Sequence, residues 1–376
     1  MTQHSTDLGT APERRPLRVA QWATGTVGLL ALRAIIGHPG LELVAVRVYS
    51  PDKEGLDAGE LCGLPPTGVR ATANIQAILA LEPDCVLYMP ATTDIDDVCA
   101  LLAGGSNIVT TRPDFFNPAA LDPGVRRRVE DACATGGTSI HSTGSSPGFI
   151  TEVVPLAFTS LSRRLDFLAI EEYANCLEGC SEEMLTQHMG FGDTPERFAL
   201  RNRGEHSSFE DSMMLLADAV GLPLDGFKRD VAVALCTRPT LLHDTTIAAG
   251  SVGGQRVSLT GLYRGSPLIR FRSNWFVTRE LDEDWELPPT DGWRVKVKGD
   301  TPIDATIGLP MPTEQGIQAS GRYTAHRPVN AVFNVVAAQP GIVPTTQLPN
   351  SYCQPFRPCT HRVRLGIGEA PHKGPS

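Results

Sequence analysis

Six residues, Ala23-Thr24-Gly25-Thr26-Val27-Gly28, have the types and spacing to hold a pyrophosphate. Small residues let the backbone turn tightly and approach an anion, and the N–H groups of a following helix point at it. The run is one residue short of Gly-x-Gly-x-x-Gly, because Ala23 fills the first glycine position. A degenerate run of this kind also fits an ordinary strand-turn-helix. Further on, Arg47, Tyr49, Ser50 and Lys53 stand where a dinucleotide site for NAD would place a carboxylate on the ribose hydroxyls. Cations and hydroxyls there favour NADP, with NAD possible. Asp52 and Glu54 flank Lys53, however, and the same residues fit a solvated turn.

Three more segments fall where ligands of open α/β sheets bind, beyond the carboxyl ends of the strands. The first is Met89-Pro90-Ala91-Thr92-Thr93, whose small Pro90, Ala91 and Thr92 let the backbone approach a nicotinamide. The second is Thr110-Thr111-Arg112-Pro113-Asp114, and the third is His141-Ser142-Thr143-Gly144-Ser145-Ser146-Pro147-Gly148-Phe149. Thr110 and Thr143 join the cofactor contacts, and Asp114 becomes a possible proton donor. Each residue also has a structural use: Ser146 can cap a helix and Asp114 a turn.

These segments need elements to position them. Leu17 to Trp22 is a strand, and Val27, Leu30, Ala31, Ala34 and Ile35 share one face of the next helix. Strands follow at 41–49, 84–89, 107–111 and 138–142, alternating with helices at 75–81, 94–102 (capped by Asp94) and 122–134. Strand–helix alternation implies a doubly wound parallel sheet of Rossmann type, since parallel strands need crossover connections. After Pro147 the texture changes. A helix over 148–164 leads to longer strands at 165–174, 226–236, 253–263 and 267–277 with no regular helix between them, the mark of an α+β domain with a mostly antiparallel sheet. The expected organisation is a flexible N-terminus (1–16), a dinucleotide-binding domain (17–150), an α+β substrate and dimerisation domain (151–314), a helical return (315–349) and a loose tail (350–376).

Composition limits the chemistry. With 376 residues, 41% hydrophobic, the chain is globular and long enough for two cores. A net charge of −9 argues against nucleic acid. There is neither an apolar run of membrane-spanning length nor a signal-peptide core, so a cytosolic protein acting on a small molecule is expected. Cys62, Cys85, Cys99 and Cys133 sit in apolar segments and read as core. Cys176 with Cys180, and Cys353 with Cys359 and His361, make no complete metal set.

The Ala-Thr-Gly-x-Val-Gly turn, Asn107-Ile108-Val109-Thr110-Thr111, Ser142 to Phe149, and Pro328-Val329-Asn330-Ala331 with Pro340-Gly341 occur in this order. Together they resemble the dihydrodipicolinate reductase-like proteins, in the branch of 2,4-diaminopentanoate dehydrogenase and the native amine dehydrogenases. The resemblance covers residues 17 to about 349. It implies reversible hydride transfer between NAD(P)H and a C=N carbon, a homodimer, a final helix returning to the first domain, and Asn330 among the cofactor contacts. Two departures follow. Residues 170–175 lack the His-His pair and lysine of true dihydrodipicolinate reductases, which argues against lysine biosynthesis. Amine dehydrogenases of this type also carry a glutamate shortly after the Asn-Val-Val-Ser/Thr strand, where Asp114 is here a shorter substitute. In the stretch ending Gln187-His188-Met189-Gly190-Phe191-Gly192, His188 replaces a family lysine, and a histidine near neutral pKa can protonate a developing alkoxide or amine. It equally fits a surface position at a helix end. Asp114 and His188 are therefore expected to share a cleft and include the proton donor, with Glu172 and Tyr173 next in line. The expected function is NAD(P)H-dependent reduction of a carbonyl or imine carbon. The alternatives are a ketone or aldehyde reductase without amine chemistry, and a non-catalytic NADP-binding sensor or scaffold.

Overall fold

The computed structural model describes residues 15–178, 180–201, 207–310 and 318–353. Most of the expected N-terminal segment and tail, with Cys359 and His361, lies outside them. The first sheet begins with β1 (Leu17–Trp22), α1 (Thr26–Ile36), β2 (Leu41–Arg47), α2 (Ala58–Leu61), β3 (Ala71–Thr72) and α3 (Ile75–Leu79). It continues with β4 (Cys85–Tyr88), α4 (Ile95–Ala103), β5 (Asn107–Thr110), α5 (Pro123–Gly136) and β6 (Ser139–Ser142). β4 and β6 are buried along their whole length, as central strands covered on both faces must be. The Asp94 and Asp122 carboxylates accept from first-turn N–H groups of α4 and α5 and fix where those helices begin.

The second unit comprises α6 (Val153–Thr159), β7 (Leu165–Asn175), α7 (Pro195–Arg201), α8 (Ser208–Ala219), β8 (Gly226–Leu235), β9 (Thr240–Leu242), β10 (Thr245–Ile247), β11 (Val252–Tyr263), β12 (Ser266–Phe276), β13 (Gly292–Gly299) and β14 (Ile303–Gly308). The chain then returns through α9 (Gln318–Val336), which packs on α1, and adds β15 (Gly341–Ile342) beside β6. The first sheet has seven parallel strands in the order β15-β6-β5-β4-β1-β2-β3. The second has six, β14-β13-β7-β12-β11-β8, antiparallel except for β7 beside β12. This is the doubly wound sheet plus α+β unit expected from the sequence.

Alternation along the second sheet decides what it offers. Leu168 and Ile170 of β7, Leu259 of β11, Ile269 and Phe271 of β12, and Trp293 and Val295 of β13 form one core with Met213 and Leu216 of α8. By the period of two, Glu172 stands on this same helix-covered face and Glu171 on the opposite one.

Three local expectations are corrected. The helix expected over 148–164 is only α6, because Glu152 turns back instead of helping to continue a helix from 148: its carboxylate accepts from Gly148 N (2.8 Å), Thr151 Oγ1 (2.8 Å) and Ser212 Oγ (2.5 Å). Gly148, at φ 118°, would bring a Cβ within 2.4 Å of Gly144 N, so this turn requires glycine. Helices α7 and α8 occupy a stretch expected to hold none; Ser207 caps α8 through Phe209 N. β13 and β14 lie outside the expected strands, although Gly292-Trp-Arg-Val-Lys-Val-Lys-Gly299 alternates plainly. Among the described residues no helix is long and apolar enough to cross a membrane.

Candidate functional site

The turn between β1 and α1 has the backbone geometry that suits an anion. Ala23 adopts φ 74°, the left-handed conformation that its glycine-like place in the run demands, at a cost of about 1–2 kcal/mol for an L-residue. Gln21 holds that conformation by donating from Nε2 to Ala23 O at 2.9 Å. A Cβ on Gly28 would lie 2.3 Å from Ala23 O, so only glycine lets α1 sit this close behind the turn. Gly25 caps α1 without a side-chain bond and the first turn carries no acidic residue, which leaves N–H groups and the positive end of the helix dipole for a ligand.

Beside this turn lies a cavity of about 730 Å³ lined by Thr24, Gly25, Thr26, Arg33, Lys53 and Cys62, among others. Lys53 Nζ donates to Thr24 O (3.0 Å) and approaches Thr24 Oγ1 (3.4 Å), so the cation lies against the turn. Arg33 donates to Cys62 O (3.3 Å) across the same space, a second cation missing from the sequence reading. Ser50 is exposed at the head of the Pro51–Lys53 turn. Arg47 is occupied otherwise: its guanidinium sits 4.6 Å over Tyr49, whose hydroxyl accepts from Trp22 Nε1 at 3.0 Å.

The loops after β4, β5 and β6 meet at one edge. Thr110 Oγ1 donates to Tyr88 O (2.6 Å) and accepts from Arg112 N (2.9 Å), so this hydroxyl ties β4 to β5. Arg112 also holds the Pro90-Ala91-Thr92 loop by donating to Ala91 O at 2.8 Å. The Thr143 and Ser146 hydroxyls are buried without a hydrogen-bond partner, which fits a polar ligand and removes the capping role expected for Ser146. Asn330 is half-buried on α9.

Between the two sheets opens a second cavity, of about 500 Å³. Its walls include Thr26, Val27, Ser145 and Ser146 from the first unit, Glu172, Trp275 and Trp293 from the second, and Tyr323 and Thr324 from α9. Thr26 borders both cavities. The carboxylate of Glu172 is held by two indoles: Oε1 accepts from Trp275 Nε1 at 2.8 Å and Oε2 from Trp293 Nε1 at 3.0 Å. Trp293 packs edge-on against Phe149 and Tyr323, with ring centroids 6.4 Å apart in each pair. The cleft is otherwise largely apolar, with Val27, Ala174, Met184, Met189 and Leu309 on its walls.

Asp114 and His188 are not brought together. Asp114 accepts from Thr93 Oγ1 (2.7 Å) and pairs with Arg112 at 3.5 Å, and it is not among the residues lining the cleft. His188 closes a π-helical turn over Met184–His188 and lines a separate cavity of about 230 Å³ with Phe209, Arg229 and Phe271. That cavity shares only Met189 and Trp275 with the cleft. Of the three side chains expected to act in catalysis, Glu172 alone lines the cleft. Its signal in the sequence is an acidic residue in phase with Leu168 and Ile170 on a buried strand face, and the tryptophans that hold it follow the same alternation on β12 and β13.

The comparisons agree with this architecture. Residues 171–355 match the family model of the 2,4-diaminopentanoate dehydrogenase C-terminal domain. An amine dehydrogenase of Streptomyces virginiae is 30% identical over 345 residues, which cover 87% of this chain and 95% of that protein. Among solved structures, the amine dehydrogenase from Mycobacterium smegmatis matches with a TM-score of 0.74 at 19% identity, over 90% of this chain and 97% of that one. A probable dehydrogenase from Thermotoga maritima matches at a TM-score of 0.52 and 13% identity, over 88% and 92% of the two chains. These two likenesses are of fold. The chain belongs to the amine dehydrogenase family of oxidoreductases, with a C-terminal half of the 2,4-diaminopentanoate dehydrogenase type.

Proposed function

We propose that the protein is an NADP(H)-dependent oxidoreductase that interconverts an imine and an amine on a small, apolar or aromatic substrate. The phosphate turn with its free helix terminus fits a dinucleotide, and Lys53 with Arg33 gives the 2′-phosphate two cations. Bound NADPH supplies the hydride; the chain's own residues supply placement and charge.

The observation that carries the reading is Glu172 between the two indoles. Each carboxylate oxygen has a lone pair left after accepting from its tryptophan, and Glu172 lines the cleft together with both indoles. A fixed anion beside the reacting carbon stabilises a cationic iminium and orients its N–H. The same anion opposes the alkoxide that forms when a ketone is reduced. Charge therefore favours C=N over C=O chemistry, and Glu172 takes over from the second unit the task that the family gives to a glutamate after β5. The aromatic walls exclude water and bind the apolar remainder of the substrate. A homodimer is the assembly this reading takes, checked by sedimentation of the full chain.

The test is NADPH oxidation across a panel of apolar and aromatic ketones and aldehydes, with and without ammonium, and cofactor reduction with the matching amines. Turnover that requires ammonium supports amine chemistry. Turnover indifferent to ammonium makes the protein a carbonyl reductase, and tight NADPH binding with no turnover makes it a sensor.

A further inference from the structure

We infer that the smaller cavity beside the cleft is a second substrate pocket, which takes the aryl end of an arylalkyl amine whose ring carries a neutral hydrogen-bonding group such as a hydroxyl. The inference names a substrate class for the cleft and so rests on the function proposed above. The cavity, of about 230 Å³, lies on the helix-covered face of the second sheet and shares Met189 and Trp275 with the cleft. Strand register makes the two spaces neighbours. Glu172 of β7 pairs with Ser273 of β12, and Ser273 with Val257 of β11, so the three side chains stand in one row on one face. Glu172 lines the cleft, whereas Ser273 and Val257 line the smaller cavity. Strands about 4.8 Å apart put the backbone of Val257 about 10 Å from that of Glu172 along this row. A substrate with its nitrogen at Glu172 and its chain directed along the row enters the cavity one strand away.

The lining decides what that end is. Phe209 of α8 stacks on Phe271 of β12, with ring centroids 4.0 Å apart and planes 14° apart, so an aromatic group finds an aromatic wall. Ser273 is 2% exposed, and its hydroxyl has no hydrogen-bond partner among the described residues. A buried hydroxyl that lines a cavity and bonds to nothing in the protein is a donor and an acceptor held for a ligand. His188 and Arg229, both exposed, stand at the outer rim. The partition between cleft and cavity has a fixed and a movable half. Trp275 is tied to Glu172 through its indole N–H at 2.8 Å. Gln255 Nε2 donates to Met189 O at 3.3 Å and holds the backbone there, while the Met189 thioether, half-buried and unbranched, is free to turn aside for a substrate.

The experiment titrates the full chain, saturated with NADPH, with ethylamine, phenethylamine and tyramine in a calorimeter. Reduced cofactor and amine cannot react, so binding is read without turnover. Phenethylamine should bind roughly ten- to hundred-fold tighter than ethylamine, the gain from burying one aromatic side chain's worth of apolar surface. The hydroxyl of tyramine should add a further factor of roughly three to ten, and Ser273→Ala should remove that factor alone. Val257→Phe fills the cavity two strands away from Glu172. It should bring phenethylamine and tyramine to within a few-fold of ethylamine, whose own affinity stays unchanged. Aryl amines that bind no tighter than ethylamine, or a Val257→Phe variant that weakens all three amines equally or none of them, overturn the pocket. A tyramine advantage that survives Ser273→Ala overturns the part given to Ser273, and this smaller change keeps the test open should Val257→Phe fail to fold. Turnover with NADP⁺ separates the two readings. Selective binding of aryl amines without oxidation of any amine refutes the proposed function and leaves the pocket standing, whereas oxidation of ethylamine with no preference for aryl amines does the reverse.

Discussion

Replacing Glu172 by glutamine changes charge with almost no change of shape, and the structure says what each consequence should cost. Both carboxylate oxygens accept indole N–H bonds, at 2.8 and 3.0 Å, and an amide can accept only one of them. One tryptophan N–H is left facing an amide N–H, a loss of about 1–3 kcal/mol for a buried donor without a partner. The larger effect falls on the reaction. A carboxylate about 4 Å from an iminium contributes up to about 4 kcal/mol at the effective dielectric of a protein surface, close to a 10³-fold bound on the rate. Single-turnover NADPH oxidation with a preformed imine should therefore slow by roughly 10²–10³ in Glu172→Gln. Reduction of the matching ketone should hold steady or rise, since the charge opposing an alkoxide is gone. NADPH titration separates this from misfolding, because Glu172 is not among the residues lining the cavity beside the phosphate turn and affinity should stay within a few-fold. An imine rate within a few-fold of the unmodified protein would refute the assignment of Glu172, whatever happens to the ketone.

Lys53→Ala and Arg33→Ala should each lower NADPH affinity by roughly ten- to hundred-fold, the range of a charge-assisted contact, and leave NADH nearly unchanged in a fluorescence titration. Gly28→Val should abolish binding of both cofactors, since its Cβ would stand 2.3 Å from Ala23 O and displace the turn; circular dichroism checks that the variant still folds. Ala23→Gly relieves about 1–2 kcal/mol of left-handed strain and loses about 0.4–1 kcal/mol through the freer unfolded chain, so a denaturant melt should show stability equal or slightly raised, and Ala23→Val a clear loss. His141 is fully buried, donates Nδ1–H to Val343 O at 2.8 Å, and has its pKa lowered by burial to about 4. Its folded state binds fewer protons than its unfolded state, so its contribution is complete above the unfolded pKa of about 6.5 and fades as pH falls toward 4. Stability should drop by about 2 kcal/mol between pH 7 and pH 5 from this group alone, and His141→Gln should remove that slope from urea unfolding curves.

The first sheet was legible because its signals are local. A run buried on both faces, such as Cys85 to Tyr88, is apolar throughout, and Asp94 and Asp122 announce their helices by capping them. The stretch after Pro147 was less so. A helix beginning at Gly148 was a fair reading of Gly148 to Arg164 until Glu152, a fully buried carboxyl whose pKa is raised by that burial, gathered the Gly148 N–H and the Thr151 and Ser212 hydroxyls. Ser212 is 60 residues away on α8, and nothing in a local window foretells that bond.

The site shows the same division between local and distant causes. The phosphate turn is contiguous in sequence, whereas Arg33, farther along α1, is brought to the cavity beside it by the fold. The cleft proposed for the reaction is assembled from β7, β12, β13 and α9, so its members are separated by tens to more than a hundred residues, and only the sheet's order makes neighbours of Trp275, Glu172 and Trp293. Position along the chain favoured Asp114, because it follows the strand whose end meets a nicotinamide in this fold. Geometry assigns Asp114 to Arg112 and Thr93, which together brace the loop carrying Ala91. If Glu172 meets the substrate nitrogen, as proposed, the acid on that loop is free to take such a bracing role. Glu172 is in phase with the buried residues of β7 and is held by two donors that would otherwise be orphaned in an apolar wall. On the proposed reading, the short acid after β5 and the acid on the inner face of β7 form one arrangement seen from two sides of the cleft. Restoring reach with Asp114→Glu tests that coupling: it should rescue part of the imine activity lost in Glu172→Gln, and a double variant no faster than Glu172→Gln alone would show the two positions to be independent.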